Sequence, residues 1–157
     1  MDASTSFGIG VIVEGHVAAW KLAPDWRRPG IDIGWAEMAA VEIALSAIIG
    51  YGVTNHKVSF RSDNKGVVFA LQAGRSRNQH QNAILMRILE QADHHSIDID
   101  ITYIRSAENP ADAPSRGQLP PDMPPISWEF PFPSHLVPIM TRTASYPFHV
   151  PIPSQCT

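Results

Sequence analysis

The chain predicts an α/β fold: a mixed central sheet with helices on its faces, followed by an extended proline-rich tail. Three observations carry this expectation. Short segments rich in β-branched residues alternate with longer ones whose apolar residues recur every three or four positions. The last of the short segments alternates strictly between apolar and polar residues. Beyond Gly117 the composition changes, with ten of the fourteen prolines falling in the last forty residues.

Taken in order, residues 7–14 (Phe-Gly-Ile-Gly-Val-Ile-Val-Glu) read as a strand, and Glu14-Gly15-His16 turns it into a second strand ending at Leu22. Pro24, Pro29 and Gly30 make the next stretch a loop. A helix over about 34–49 follows, with Met38, Val41, Leu45, Ile48 and Ile49 as its core stripe and Gly50 and Gly52 as its stop. Residues 57–61 read as a strand ending at Ser62-Asp63, and 67–72 as a short helix ending at Gly74. A second long helix is expected over about 81–94, with Ile84, Leu85, Ile88, Leu89 and Ala92 on one side. Residues 97–104 set Ile97, Ile99, Ile101 and Tyr103 against Asp98, Asp100 and Thr102, a strand with one wet face.

Two domains do not fit comfortably in 157 residues, so one domain over 1–117 and a tail over 118–157 are expected. Proline rules out a sheet or long helix in that tail. Its aromatics, among them Trp128, Phe130, Phe132, Tyr146 and Phe148, make it an extended segment that drapes over the domain or docks on a neighbour. No apolar run approaches the roughly 20 residues that span a bilayer. The N-terminus has no signal-peptide pattern, and Cys156 is alone, which excludes an intramolecular disulfide or a cysteine-based zinc site. An intracellular setting is expected, with nucleus and cytoplasm undistinguished. A net charge of −3 and pI near 6.1 count mildly against a dedicated nucleic-acid binder, although a cluster of acids beside bound cations would produce the same balance.

Four carboxylates stand where predicted elements begin or end: Asp2, Glu37, Asp63 and Asp112. Hard oxygen ligands gathered from scattered segments are what Mg²⁺ prefers, which points to metal-dependent phosphodiester chemistry. Each acid also has an ordinary role open to it. Asp63 can cap the helix after it, Asp112 can cap a short final helix, and Asp2 can be a solvated terminal residue. At 100° per residue, Glu37 and Glu42 flank the apolar stripe on opposite sides, and periodicity does not separate them.

The pieces Asp2-Ala3-Ser4, Trp35-Ala36-Glu37-Met38-Ala39-Ala40, Arg61-Ser62-Asp63-Asn64 and Asn109-Pro110-Ala111-Asp112-Ala113-Pro114-Ser115-Arg116 cover most of residues 1–117. In this order the chain resembles ribonuclease H domains of retroelement reverse transcriptases. The resemblance implies a ribonuclease H-like fold and a hydrolase that cuts the RNA strand of RNA–DNA hybrids. It implies two Mg²⁺ ions, with Mn²⁺ as a substitute, held by Asp2, Glu37, Asp63 and Asp112 and clamping attacking water and leaving oxygen. It also favours Glu37 over Glu42, leaving Glu42 as a solvated flank residue. The reverse-transcriptase part of a longer polyprotein is the implied protein partner.

The chain departs from that pattern twice. The loop before the last aspartate, Arg105-Ser106-Ala107-Glu108-Asn109, has no histidine, leaving Arg105 as an electrostatic substitute. Only Met1 precedes Asp2, so the central first strand is expected to be truncated. Buried backbone groups left open on its neighbours would cost roughly 1–3 kcal/mol each. For substrate contact the candidates are Arg75 and Arg77 on phosphate, Asn64 and Asn109 on sugar hydroxyls, and Ser4 beside the first aspartate. Trp20 is expected in the core, and Trp26 is open to either core packing or base stacking. The alternative function is an inactive remnant of the same fold serving as a nucleic-acid or protein interaction module. A related nuclease that cuts DNA is the third reading.

Overall fold

The first strand, β1, is only Asp2–Ala3, and it pairs antiparallel with β2 (Gly8–Val13). Glu14 and Gly15 then reverse the chain with φ of 50° and 73°, the positive pair a two-residue hairpin turn requires. The returning strand is β3 (His16–Leu22), in the order the β-branched pattern predicts. The structure is a computed structural model that describes residues 1–144; Tyr146, Phe148 and Cys156 lie outside the described residues.

Helix α1 (Ile33–Tyr51) crosses one face of this hairpin. Asp32 caps its start, accepting from the Trp35 N–H at 3.2 Å, and Gly52 ends it at φ 101°. Gly50 is not a stop but lies inside the helix. A Cβ there would come within 2.4 Å of the Phe130 Cβ, so the glycine admits a close approach of the tail. The expected stripe is also too narrow. Thirteen residues of α1 are buried, Glu37 and Glu42 among them, because the helix is covered by β2, α3 and the tail. At 19 residues α1 is long and apolar enough to cross a membrane by length and composition, although Glu37 and Glu42 interrupt its apolar run. Here it is the central core helix.

Strand β4 (Lys57–Ser62) and helices α2 (Lys65–Ala73) and α3 (Gln79–His94) come next, followed by β5 (Asp98–Tyr103). Ile84, Leu85 and Ile88 of α3 are buried as their spacing predicts. Strand β5 is less regular than its alternation suggests. Ile101 is buried, but Tyr103 is 43% exposed and receives Lys65 over its ring at 5.2 Å. Strands β4 and β5 pair in parallel, and they form a sheet of their own. The expected continuous sheet is therefore two: β1-β2-β3-β6 and β4-β5. The physical reason is the length of β1, whose two residues end before a ladder to β4 can form.

The tail is part of the fold as far as residue 144. Val17 bridges Pro125, the Trp128 indole donates to the Ala47 carbonyl at 2.8 Å, and Ile126 and Leu136 are buried. After a 3-10 turn over Ser134–Ile139, Met140–Arg142 forms β6 and adds antiparallel to β3. Draping over the domain is what the described part does. The expectation that it contains no sheet is overturned, because Met140–Arg142 carries no proline and meets an open edge of β3.

Candidate metal centre

Gly10 sets the geometry. It lies opposite Asp2 in the β1–β2 ladder, and a Cβ on it would reach 2.4 Å from the Ser115 nitrogen. Its bareness lets α4 (Asp112–Ser115) lie against β2, which brings Ser115 to Asp2. Glu37 enters from the start of α1. Asp63 follows directly on the last residue of β4. It is not the cap of α2; Asn64 is, accepting from the Val67 N–H at 3.1 Å.

These three segments bring carboxylate oxygens of Asp2, Glu37 and Asp63 within 4.8 Å of one another. Asp2 and Glu37 are each only 4% exposed. The Ser115 hydroxyl donates to Asp2 at 2.9 Å, and the Ser106 hydroxyl donates to Asp63 at 2.5 Å. Glu37 Oε2 is buried with no hydrogen-bond partner among the described residues.

Electrostatics follow from that crowding. Burial, reinforced by the charges of Asp2 and Asp63, pushes the Glu37 carboxyl up to about 9. Burial and then Asp63 raise Asp2 as well, against the lowering effect of the Ser115 hydrogen bond. Burial lowers the amino group of Met1, while the nearby acids pull it the other way. A like-charged, desolvated triad with an orphaned oxygen needs either protons or a cation. A divalent cation with a preference for hard oxygen would meet that need, and the three acids form a donor set that could hold one.

Asp112 lines the same cavity of about 390 Å³ but does not join the triad. Its carboxylate accepts from Arg116 Nε at 3.4 Å, an i,i+4 pair on the exposed face of α4. Such exposed pairs are worth about 0–1 kcal/mol, so a cation competes with Arg116 for this acid at small cost.

The other sequence candidates are scattered. Ser4 lines the cavity, yet its hydroxyl is buried and donates to the Ser115 carbonyl at 2.6 Å. Asn64 also lines it. Asn109 is 6% exposed and lies outside that cavity lining; its amide donates to the Met1 carbonyl at 3.2 Å and accepts from the Ala111 N–H. Arg105 pairs with Glu108 at 2.9 Å on the surface. Arg75 and Arg77 lie apart from the acids in a neighbouring groove of about 920 Å³ between α2 and the start of α3, with Lys65. Asn64 borders both spaces. Trp26 is buried against Trp35, with ring centroids 6.3 Å apart, and so is not free to stack on a base.

Glu42 is not a solvated flank residue. It is 6% exposed, and it accepts from Arg87 at 3.3 Å and lies 3.0 Å from His135 of the tail. The sequence reading passed over Ser106 and Ser115. Both lie in quoted or neighbouring motif segments, but a serine alone carries no signal of a carboxylate partner 43 or 113 positions away. Comparison of this chain with protein families, with curated proteins and with solved structures finds no match.

Proposed function

We propose that the chain is a ribonuclease H-like hydrolase that uses divalent metal to cut the RNA strand of RNA–DNA hybrids. The observation carrying this reading is the triad: three acids from three separate segments converge within 4.8 Å, one with a buried oxygen that has no partner among the described residues. Asp2, Glu37 and Asp63 would hold the metal, and Asp112 is the acid placed to join them once released from Arg116. Bound Mg²⁺ supplies charge neutralisation at phosphate and a more acidic water.

The residues themselves orient this chemistry. Ser115 and Ser106 hold Asp2 and Asp63 by hydrogen bonds, and the bond from Ser115 favours the ionised, ligating form of Asp2. Burial of Glu37 keeps bulk water from screening the centre. The groove with Arg75, Arg77 and Lys65 offers cations to a phosphate backbone that passes the acids by way of Asn64. On this reading the protein works as part of, or beside, a reverse transcriptase.

A second reading has its own observation. The ion pair of Asp112 with Arg116, which keeps the fourth acid out of the triad, suits an inactive remnant that binds nucleic acid or protein. The test uses the purified chain with a labelled RNA–DNA hybrid and matched duplex DNA in Mg²⁺ or Mn²⁺. Cleavage of the hybrid alone, lost in Asp63→Asn, supports the hydrolase. Metal binding without cleavage supports the remnant, and cutting of duplex DNA supports a DNA nuclease on the same architecture.

A further inference from the structure

Strand β5 has an open edge on the side away from β4. The Asp98 N–H donates to the His56 carbonyl and the Ile104 N–H to the Ser62 carbonyl, so alternate residues from Asp98 onward turn their backbone groups towards β4. The backbone groups of Ile99, Ile101 and Tyr103 turn the other way, where β5 has no second strand partner among the described residues. The exposed Gln72 at the end of α2 donates its side-chain amide to the Ile101 carbonyl at 3.2 Å, in the place that a neighbouring strand's N–H would take.

A cavity of about 310 Å³ lies beside this edge. Leu71 of α2, Leu89 and Ala92 of α3 and Ile99 of β5 give it apolar walls, and the exposed Asp93 joins them. Alternation along β5 keeps Ile97, Ile99 and Ile101 on this helix-covered face and places Asp98 and Asp100 on the opposite one. Asp93, Asp98 and Asp100 have no ion-pair partner among the described residues. Lys57 stands opposite Asp98 in the β4–β5 register but forms no ion pair with it.

We propose that this edge accepts, as an added strand, an extended segment of a partner protein whose residues alternate between apolar and basic. The open backbone makes the site, and the acids select its occupant. A second copy of β5 is disfavoured, because edge-to-edge pairing crowds Asp98 and Asp100 against their own counterparts. A basic strand instead sets its cations across from these carboxylates, and the same alternation carries its apolar residues to the other face, over Leu71 and Leu89. Main-chain hydrogen bonds to Ile99 and Tyr103 hold the strand, which displaces the Gln72 amide from Ile101. The surface shares no residue with the lining of the acidic cavity, and the edge is open whether or not metal binds there.

Three short synthetic peptides added to the full chain test this. The first alternates valine with lysine. The second carries glutamate in place of each lysine, and the third keeps the composition of the first but groups its valines and lysines in separate blocks. The alternating lysine peptide should shift the amide resonances of Ile99, Ile101 and Tyr103, and at saturation slow hydrogen exchange at the Ile99 and Tyr103 amides about tenfold. The glutamate and block peptides should bind roughly tenfold more weakly or worse. Replacing both exposed-face acids, Asp98→Asn with Asp100→Asn, should weaken the lysine peptide about tenfold while leaving Tm within a few degrees of wild type. Equal binding of the lysine and glutamate peptides overturns the proposal, as does a double variant that binds as tightly as wild type. So do shifts centred on Asp2, Glu37 and Asp63 rather than β5, or an absence of binding at millimolar peptide.

Discussion

The Ser115 hydroxyl donates to the Asp2 carboxylate at 2.9 Å, joining residues 113 positions apart at the closure of the acidic centre. The bond exists because Gly10, opposite Asp2, leaves room for α4. It opposes the upward pull of burial on Asp2, and so favours the ionised form that a cation needs. Ser115→Ala should therefore weaken Mg²⁺ binding roughly tenfold, the equivalent of about 1.4 kcal/mol for a lost bond to a charged group. Isothermal titration measures this directly, and unchanged affinity would remove Ser115 from the site.

Glu37 gives a pH dependence whose sign is fixed. Its folded pKa, about 9, lies above the ordinary value of 4.5, so between these values the folded chain binds more protons than the unfolded one. That contribution to stability is fully present at acid pH and is lost as pH rises through the window, with a slope of up to about 1.4 kcal/mol per unit. Glu37→Gln should flatten the slope and raise metal-free stability at pH 8. Asp2, shifted in the same direction, keeps some slope in place. Urea denaturation at several pH values decides it, and a mutant less stable than wild type at pH 8 contradicts the desolvated-acid account.

Metal should reverse that penalty. Binding to the native state stabilises by RT ln(1 + [L]/Kd), about 2.7 kcal/mol at a hundredfold excess over Kd. Mg²⁺ should raise Tm at pH 8 in wild type and in Glu42→Gln, but not in Glu37→Gln or Asp63→Asn. Equal responses in all four proteins would place the ion elsewhere.

Glu42 is the structural counterpart of Glu37. Its replacement by Gln removes the negative charge and one of the two oxygens that Arg87 and His135 share. Arg87 is partly solvated, so the loss should stay near 1–2 kcal/mol, with hybrid cleavage and metal response intact. Loss of cleavage at unchanged stability would exchange the roles of the two glutamates.

Removing the tail after Gly117 should destabilise the domain far more than removing a linker. Ile126 and Leu136 are buried, and each is worth about 1.5–3 kcal/mol of burial. Truncation also uncovers Trp20 against Phe132, at 5.6 Å, and opens the β3 edge covered by β6. Chemical denaturation and dye binding to exposed apolar surface read the outcome; an unchanged midpoint means the tail is dispensable.

Local features were legible in the chain itself. Glu14-Gly15 specifies its turn, Gly52 and Gly74 end their helices, and the spacing in α3 selects its buried face, because each depends on neighbours a few residues away. The four acids could likewise be picked out by residue type and order. Their convergence could not. Periodicity did not separate Glu37 from Glu42, since α1 is buried on nearly every side and both glutamates lie within the protein; what differs is the partner each meets, which the tertiary structure decides. It also paired Asp112 with Arg116, sent Met140–Arg142 to the β3 edge, and divided the sheet beside a two-residue β1. Each of these is a contact between distant segments, and periodicity along a chain carries no information about which distant surface will cover it.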